Sequence, residues 1–317
     1  MKKLCIAVMM KNEESIIERC LLNILKLNPD HIVVIDTMST DASIVRASLF
    51  LNKYTIPYTI YQENFINFAH NRTLLLEKSK NTGCHYTLMV DADEVVILNK
   101  PHKLDFKENL TADIYDVAII NQSITYHLPR LTNNSKSINY IGVTHECLDE
   151  NNLIKDFCPA ISIISLDDSH RRTTNRKHLE DITLLEAALK TETNKNLLSR
   201  YHFYLAQAYF YTNQWDNAFI HYRQRVTMGG WDEEIFYSYY QMGNILAQYN
   251  SARNLKDALH NYFLAYDICP HRAESLCAME KLLMQNQLMN SAKAIYKIRK
   301  GISRPASGLF IEFNAYD

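Results

Sequence analysis

Glycine is scarce in this sequence, and its scarcity excludes two large classes of nucleotide-binding protein. Only seven of the 317 residues are glycine, and the first of them is Gly83. Neither the G-x-G-x-x-G fingerprint of dinucleotide-binding proteins nor the phosphate-binding Walker loop can therefore precede that position. A nucleotidyltransferase that cradles a triphosphate in a glycine-rich N-terminal loop is disfavoured for the same reason.

The cysteines give no sign of a zinc ribbon or of a disulfide framework. There are seven of them, an odd number, and no two form a C-x-x-C pair. We expect reduced and mostly buried thiols.

A strong net charge and a long apolar run are also missing. Lys and Arg total 34 against 35 for Asp and Glu, so no basic excess is available to neutralise nucleic-acid phosphates. No stretch approaches the roughly 20 apolar residues that span a bilayer. The apolar run Leu4–Met10 is short for a signal peptide and is followed by Lys11 without a cleavage site. The sequence predicts a cytoplasmic protein with no membrane span and no nucleic-acid partner.

Short apolar runs alternate with helical patterns in the first third of the chain. Buried strands that alternate with helices predict right-handed β-α-β units and a parallel sheet, which is an α/β fold. The expected strands are Leu4–Met10, His31–Ile35, Tyr58–Tyr61 and Tyr86–Val90, and the expected helices are Ser15–Leu27, Asp41–Leu51 and Phe68–Ser79.

Beyond Asp93 the pattern changes to β-like stretches without long helices between them. This change predicts a mixed, partly antiparallel extension of the sheet. The stretches are Ile114–Ile120, Ser123–Leu131, Ile138–Val143 and Ala160–Ile164.

From about Asn175 onward the pattern is helical, and it repeats. Ala258 and Tyr262 recur as Ala292 and Tyr296 after 34 residues, the period of the tetratricopeptide repeat. Generic antiparallel helices with small residues at their contacts are the alternative. We expect two domains, 1–172 and 173–317, with the boundary between 172 and 195. An earlier copy of the repeat comprises Leu205, Ala206, Tyr209, Ala218 and Tyr222.

Two carboxylates, Asp91 and Asp93, directly follow an apolar strand. Two hard oxygen ligands at a strand end suit Mg²⁺ or Mn²⁺ that carries a diphosphate, although acidic residues after strands also serve as caps. Polar clusters follow the first two strands as well, at 11–14 and at 36–41. Helix capping explains one residue in each cluster, but it does not explain several acidic groups at one sheet edge.

Four further residues stand out by type and position. Arg72 lies near a helix start, where it suits a phosphate or an acidic partner, or a salt bridge to Asp91. His145 and Glu146 begin like the zinc motif H-E-x-x-H, but the second histidine is missing, which disfavours zinc hydrolysis. His170, just before the helical region, would ordinarily be a surface residue. A phosphatase is disfavoured because Lys11 stands where its nucleophilic aspartate is expected.

Taken together, the ordered motifs resemble those of GT-A-type, family-two glycosyltransferases that carry a C-terminal tetratricopeptide region. The likeness covers nearly the whole chain. The motifs are Met10-Lys11-Asn12-Glu13-Glu14, Asp36-Thr37-Met38-Ser39-Thr40-Asp41, Asn67-Phe68-Ala69-His70-Asn71-Arg72-Thr73, Val90-Asp91-Ala92-Asp93-Glu94, Gly142-Val143-Thr144-His145-Glu146, Phe203-Tyr204-Leu205-Ala206-Gln207-Ala208-Tyr209, Gly229-Gly230-Trp231-Asp232-Glu233-Glu234 and Pro270-His271-Arg272-Ala273-Glu274.

The resemblance implies a GT-A-like, Rossmann-like domain followed by a tetratricopeptide-like helical domain. It also implies a nucleoside-diphosphate sugar as donor, with a UDP-sugar favoured, and Mn²⁺ or Mg²⁺ as cofactor. Asp93 and His170 would ligate the metal, and Asp91 would face the ribose or the metal's water shell. Residues implied to bind the nucleotide are Asn12, Glu14, Asp36, Asp41 and Arg72.

The implied reaction moves the sugar to an acceptor hydroxyl of a protein, glycan or lipid. Glu146 is the expected general base, His145 is its substitute, and one displacement would invert the anomeric centre. The repeats would present a groove for an acceptor or partner, or mediate homodimerisation. Met38 and Asn67 depart from a commonly found glycine and aspartate. These departures leave a non-catalytic tetratricopeptide adaptor with a degenerate transferase domain as the alternative.

Overall fold

The structure of the protein is a computed structural model that describes residues 2–100, 104–121, 124–166, 168–173, 176–249, 251–305, 308 and 310–316. The chain divides into two compact units, Met1–Lys177 and His178–Asp317. Ser123, Asp167 and Asn175, which fall in predicted features, lie outside the described residues.

The first unit is built around an eight-stranded mixed sheet. Its strand order is β3-β2-β1-β4-β7-β6-β10-β5. The strands are β1 (Leu4–Met10), β2 (His31–Asp36), β3 (Tyr58–Gln62), β4 (Tyr86–Asp91), β5 (Glu94–Leu98), β6 (Ile114–Asn121), β7 (Ile124–Asn133) and β10 (Lys155–Ser165), while β8 (Tyr140–Ile141) and β9 (Cys147–Leu148) form a separate pair. The helices are α1 (Ile17–Ile24), α2 (Ser43–Leu51), α3 (Phe68–Lys80) and α4 (His170–Thr173).

The first four strands in space are parallel, as the alternating pattern predicts. β1 pairs in parallel with β2 and with β4, and β2 pairs in parallel with β3. β7 then runs antiparallel to β4 and to β6, and β10 runs antiparallel to β5. The predicted α/β fold with a mixed, mostly parallel sheet is confirmed.

Helices cover both faces of the parallel part of the sheet, which explains why β1 is apolar at every position. Leu4, Ile6 and Val8 pack in the same core cluster as residues of α1 and α2. Cys5 and Ala7 point to the opposite face and pack in a cluster with residues of α3. Strands buried on both faces read as continuous apolar runs rather than as alternating ones.

Two predicted details differ from the structure. β5 was not expected, because it follows β4 after only two residues, yet it pairs with β10 at the far edge of the sheet. The expected strand Ile138–Val143 was wrong except for β8. Its backbone is engaged by α3 instead, since Tyr140 N donates to Thr73 Oγ1 (2.9 Å) and Phe68 N donates to Val143 O (3.1 Å).

The second unit is helical, as the sequence predicts. Its helices are α5 (Lys177–Leu189), which starts at the junction of the two units, α6 (Lys195–Tyr211), α7 (Trp215–Thr227), α8 (Asp232–Gln248), α9 (Ala252–Ile268), α10 (Glu274–Gln285) and α11 (Met289–Arg299). The helices after α5 pack as consecutive pairs joined by short connections. The pairs are α6 with α7, α8 with α9, and α10 with α11.

The repeated small and aromatic residues occupy the second helix of each pair. Ala218, Ala258 and Ala292 are buried on α7, α9 and α11 respectively. Gly243 on α8 allows the Tyr262 ring of α9 to pack directly against the backbone of α8, because a Cβ at position 243 would lie 2.4 Å from that ring. The close approach of paired helices therefore depends on these small side chains, as expected for a tetratricopeptide-like arrangement.

None of the helices within the described ranges is long and apolar enough to cross a membrane.

A pair of stacked histidines links the first helix pair. His202 on α6 and His221 on α7 have their Nδ1 atoms 2.9 Å apart, and the rings stack with centroids 5.1 Å apart. Burial, with a smaller contribution from His202, lowers the pKa of His221 to about 4, and burial also lowers the pKa of His202. Both rings are therefore neutral at pH 7.

This pair predicts acid-sensitive stability. Because the folded pKa of His221 lies below the ordinary value near 6.5, the unfolded chain binds the extra proton first as the pH falls. The contribution of the neutral His221 ring to the free energy of unfolding is complete above pH 6.5 and is lost as the pH falls towards 4. We expect His221→Gln to narrow the loss of stability between pH 7.5 and pH 5 by about 1 kcal/mol, allowing for partial exposure.

Thermal unfolding of the wild type and the variant at both pH values measures this effect. His260→Gln, an exposed substitution on α9, is the control and should leave the pH dependence unchanged. Parallel pH profiles for the wild type and His221→Gln would contradict the prediction.

Candidate active site

The predicted polar residues meet at the carboxyl ends of three neighbouring parallel strands. Met10 at the end of β1 pairs with Asp36 at the end of β2, and Met9 pairs with Asp91 at the end of β4. The register therefore brings the motifs after β1, β2 and β4 to one edge of the sheet. Open α/β sheets bind ligands outside this edge.

The loops after β1 and β2 are joined through polar side chains. Asn12 N donates to Ser39 Oγ (2.8 Å), and Asn12 Oδ1 accepts from Thr40 N (2.7 Å). The buried carboxylate of Asp36 accepts from Ser39 N (2.9 Å). The side chains of Asn12 and Asp36 thus fix the shape of both loops.

Glu14 and Asp41 add a reciprocal connection between the same loops. Glu14 Oε2 accepts from Ala42 N (2.9 Å), and Asp41 Oδ2 accepts from Glu14 N (3.1 Å). Asp41 Oδ1 also accepts from Ser43 N (3.0 Å). Burial opposes ionisation, but these hydrogen bonds lower the pKa of Asp41 below its ordinary value. The structure brings all four residues together, and their nucleoside-binding role stays a prediction.

Three non-glycine residues at this edge adopt left-handed backbone conformations. They are Asn12 (φ +57°), Met38 (φ +62°) and His145 (φ +50°). Such conformations cost about 1–3 kcal/mol for ordinary residues and cluster at functional sites. At Met38 the sequence departs from a commonly found glycine, and the backbone there has the conformation that glycine adopts most readily.

Arg72 and Arg130 converge on the carboxylate of Asp91. Arg72 Nη2 donates to Asp91 Oδ1 (2.7 Å), and Arg130 Nη2, from β7, donates to Asp91 Oδ2 (3.2 Å). Burial opposes ionisation, but the two guanidinium groups outweigh it and hold the pKa of Asp91 well below its usual range. The salt bridge considered for Arg72 is therefore present. Both oxygens of Asp91 are occupied by arginines.

Glu94 extends this cluster from the first residue of β5. Its Oε1 accepts from Arg130 Nη2 (2.7 Å), and its Oε2 accepts from Asp91 N (2.8 Å). Burial raises the pKa of Glu94 to about 7, with Asp91 adding to the rise and Arg130 opposing it. Arg130 therefore connects two buried carboxylates.

Glu146 contacts the same cluster through a different nitrogen of Arg72. Its Oε1 lies 2.5 Å from Arg72 Nε, and the Arg72 guanidinium lies 5.8 Å from the centre of the Tyr140 ring. No hydrogen-bond partner lies near Arg72 Nη1 in the described part of the chain, although that atom is buried. The arginine thus holds two carboxylates and retains its Nη1 group as a donor for a further acceptor.

A second group of acidic residues lies beside this cluster. Glu13 is buried, and its Oε2 accepts from His170 N (3.2 Å). Burial raises the pKa of Glu13 to about 7, and the negative charges of Asp93, Asp168 and Asp41 add to the rise. Asp93 is also buried, whereas the side chain of His170 is exposed.

The three predicted metal ligands do not form a compact cage. Across the described residues, Asp91, Asp93 and His170 do not bring three ligand atoms within 4.8 Å of one another. Glu13 and Asp93 nevertheless fit a divalent cation by their chemistry, because hard carboxylate oxygens are the donors that Mg²⁺ and Mn²⁺ prefer.

A family model matches part of the sequence. Residues 5–119 match the model of glycosyl transferase family 2. This match covers about a third of the chain, and it contains β1 to β4, Arg72, Asp91 and Asp93. The resemblance inferred from the motifs is confirmed there. No curated protein sequence matches the chain significantly.

Solved structures of three proteins show distant likeness. S. aureus TarS 1–349 in complex with UDP-GlcNAc is 12% identical over 96% of this chain and 93% of that chain, with a TM-score of 0.42. MamA is 14% identical over 40% and 90%, with a TM-score of 0.28. Glucosyl-3-phosphoglycerate synthase from Mycobacterium tuberculosis, in complex with Mn²⁺, UDP and phosphoglyceric acid, is 19% identical over 38% and 44%, with a TM-score of 0.28.

Sequence reasoning did not single out three buried residues that the structure places beside the predicted site residues: Glu13, Glu94 and Arg130. Glu13 was part of a quoted motif, but nothing marked it as more buried than its neighbours. Glu94 directly follows Asp93 and reads as one more acidic residue. Arg130 could have been noticed as a lone cation beside apolar residues of a predicted strand, because such a residue needs a buried partner.

Removal of the Arg130 guanidinium should destabilise the first unit strongly. Arg130→Met leaves Glu94 and one Asp91 oxygen without their partner, and breaking a buried ion pair costs about 3–5 kcal/mol. Urea unfolding measures the change. Arg46→Met is the matched control, since Arg46 lies 3.7 Å from Glu18 in an exposed pair and should cost less than about 1 kcal/mol. An equal decrease in the free energy of unfolding for the two variants would show that the Arg130 ion pairs stabilise the protein no more than an exposed pair does.

Replacement of Met38 by glycine should stabilise the loop after β2. Met38→Gly removes the cost of the left-handed backbone, which offsets the entropy that glycine loses on folding, for a net gain of about 1 kcal/mol. We expect the melting temperature to rise by roughly 2–4 °C. Met228→Gly is the control, because Met228 is also exposed but has φ −86°. A fall in melting temperature for Met38→Gly would contradict the expectation.

Proposed function

We propose that the first unit is a metal-dependent glycosyltransferase that moves a sugar from a nucleoside-diphosphate sugar to an acceptor hydroxyl. The observation that carries this proposal is the position of Asp91-Ala92-Asp93 at the carboxyl end of β4, within the segment that matches glycosyl transferase family 2. The neighbouring loops after β1 and β2 form the rest of that edge.

In this proposal the interlocked loops form the nucleoside pocket. Asn12, Glu14, Asp36 and Asp41 would bind the nucleoside in part through the fixed backbone between them, with Asp41 near the base. Their hydrogen bonds support this role, because a pocket whose side chains are already held loses little conformational entropy when a ligand binds.

Arg72 would contact the nucleotide through its remaining donor. The buried and unpaired Nη1 atom supports this role, because an unsatisfied donor costs free energy that an anionic acceptor would recover. Asp91 would act as a positioning residue that holds Arg72, since both of its oxygens are taken by arginines. A water shell around a metal could still contact Asp91 from outside.

Asp93 would hold the divalent cation, with Glu13 close by and His170 as the second ligand. The environment of Glu13 supports the fit: burial, and to a smaller extent the charges of Asp93, Asp168 and Asp41, raises its pKa to about 7, and a bound cation would favour the ionised form. When bound, Mn²⁺ or Mg²⁺ supplies positive charge to the departing diphosphate.

Glu146 would take the proton of the attacking hydroxyl. The ion pair with Arg72 supports this role, because it holds the carboxylate in one orientation. A single displacement with this base inverts the anomeric centre, and His145 is the substitute base. The helical unit would bind an acceptor protein, glycan or lipid, or a partner, or a second copy of the chain.

Calorimetric titration with UDP and with GDP, each with and without Mn²⁺, tests the donor site. We expect Mn²⁺-dependent binding of UDP that Asp93→Asn weakens at least tenfold, because the variant loses one negative charge and one hard ligand. Asp105→Asn, an exposed substitution elsewhere in the unit, should bind as the wild type does. Absence of binding to either nucleotide would favour the adaptor alternative.

Glu146→Gln tests the general base. The amide keeps the size of the side chain but cannot accept the proton, so we expect turnover of a UDP-sugar, by transfer or by hydrolysis, to fall about 10²–10⁴-fold. UDP affinity should change less than about threefold. Glu150→Gln, four residues later and near the surface, is the control. Unchanged turnover in Glu146→Gln would move the role to His145.

A further inference from the structure

Two motifs of the helical unit that the proposed reaction does not use come together in space. Glu233 lies in the first turn of α8, and Cys269 and His271 lie in the connection between α9 and α10. One ligand atom from each of these three residues lies within 4.8 Å of the other two. Glu233 Oε1 and His271 Nε2 are 3.6 Å apart.

We propose that Glu233, Cys269 and His271 form a binding site for Zn²⁺ in the helical unit. One sulfur, one nitrogen and one oxygen donor make the mixed set that Zn²⁺ accepts, whereas Mg²⁺ and Ca²⁺ require oxygen ligands throughout. Three protein ligands leave a fourth position for water.

The surroundings orient the glutamate for this role. Arg272 is fully buried and contacts Glu233 Oε2, which leaves Oε1 on the side of His271. A charged partner behind a ligating carboxylate is typical of metal sites, where outer contacts fix the ligand geometry. Arg272 therefore acts as a support for the site.

The local charge also favours a cation. Arg272 makes three close contacts with Glu274, in which Nε and Nη2 lie 2.8–3.1 Å from the carboxylate oxygens. Its positive charge is thus shared between Glu274 and Glu233. Asp232, next to Glu233, adds a further negative charge near Cys269, and such a concentration of carboxylates attracts a cation.

Cys269 is buried, whereas His271 is exposed to solvent, so a metal ion can reach the site from the side of the histidine. Cys269 is 2% exposed and its thiol donates to Asp232 O (3.8 Å), whereas the His271 side chain is 60% exposed. Burial and the charge of Glu233 raise the pKa of Cys269 to about 11, so the free protein carries a thiol. Binding of Zn²⁺ forms the metal–thiolate bond and releases that proton to solvent.

Cobalt provides the direct test, because a Co²⁺–thiolate bond gives a charge-transfer absorption in the near ultraviolet. The full chain, with Asp93→Asn to remove the proposed catalytic metal ligand, is freed of metal with a chelator and titrated with Co²⁺. We expect the band to saturate at one equivalent and to disappear when Zn²⁺ is added. Cys269→Ser should abolish it.

Two matched controls make the outcome specific. Cys277→Ser removes another buried cysteine of the same unit, and His260→Gln removes an exposed histidine of α9. Both should retain the band, while His271→Gln should weaken Zn²⁺ binding at least tenfold. The proposal fails if the parent protein gives no charge-transfer band, or if the band survives in Cys269→Ser. It fails equally if His271→Gln binds Zn²⁺ as tightly as its parent.

Discussion

The contact of two buried arginines with Asp91 is the interaction on which the candidate site depends. Asp91 ends β4, Arg72 comes from α3 and Arg130 comes from β7, so one carboxylate connects three elements of the first unit. Glu94 and Glu146 complete the set of charges. Burying such charges is expensive unless each finds its partner, and the complete network therefore restricts the sheet edge to one arrangement.

The loops after β1 and β2, beside this cluster, are held by hydrogen bonds from side chains to backbone rather than by buried ion pairs. A phosphate-binding loop commonly relies on glycine, but this chain has no glycine before Gly83. Here polar side chains bond to the backbone of the opposite loop, as Asn12 does with Thr40 and Glu14 does with Ala42. The left-handed conformations of Asn12 and Met38 are tolerated because these bonds over-determine the loop geometry.

The helical unit concentrates its buried charges at the turns that follow the first two helix pairs. Arg225 Nε donates to Glu234 Oε2 (2.7 Å) after the first pair, and Arg272 contacts Glu233 and Glu274 after the second. Both glutamates of the sequence Asp232-Glu233-Glu234 thus have a buried arginine. Successive repeats contact chiefly their neighbours, so polar pairs at these turns fix the register from one helix pair to the next.

The sequence by itself determined the order of elements, the parallel half of the sheet and the helical repeats, because apolar periodicity and strand-end polarity are local signals. It also placed Asn12, Asp36, Asp91 and Arg72 near one edge. Only the tertiary structure decided which charges face one another: that Asp91 is held by Arg130 as well as Arg72, that Glu13 is buried, and that β5 pairs at the far edge of the sheet. These outcomes depend on contacts between residues far apart in the chain, whose partners no local pattern specifies.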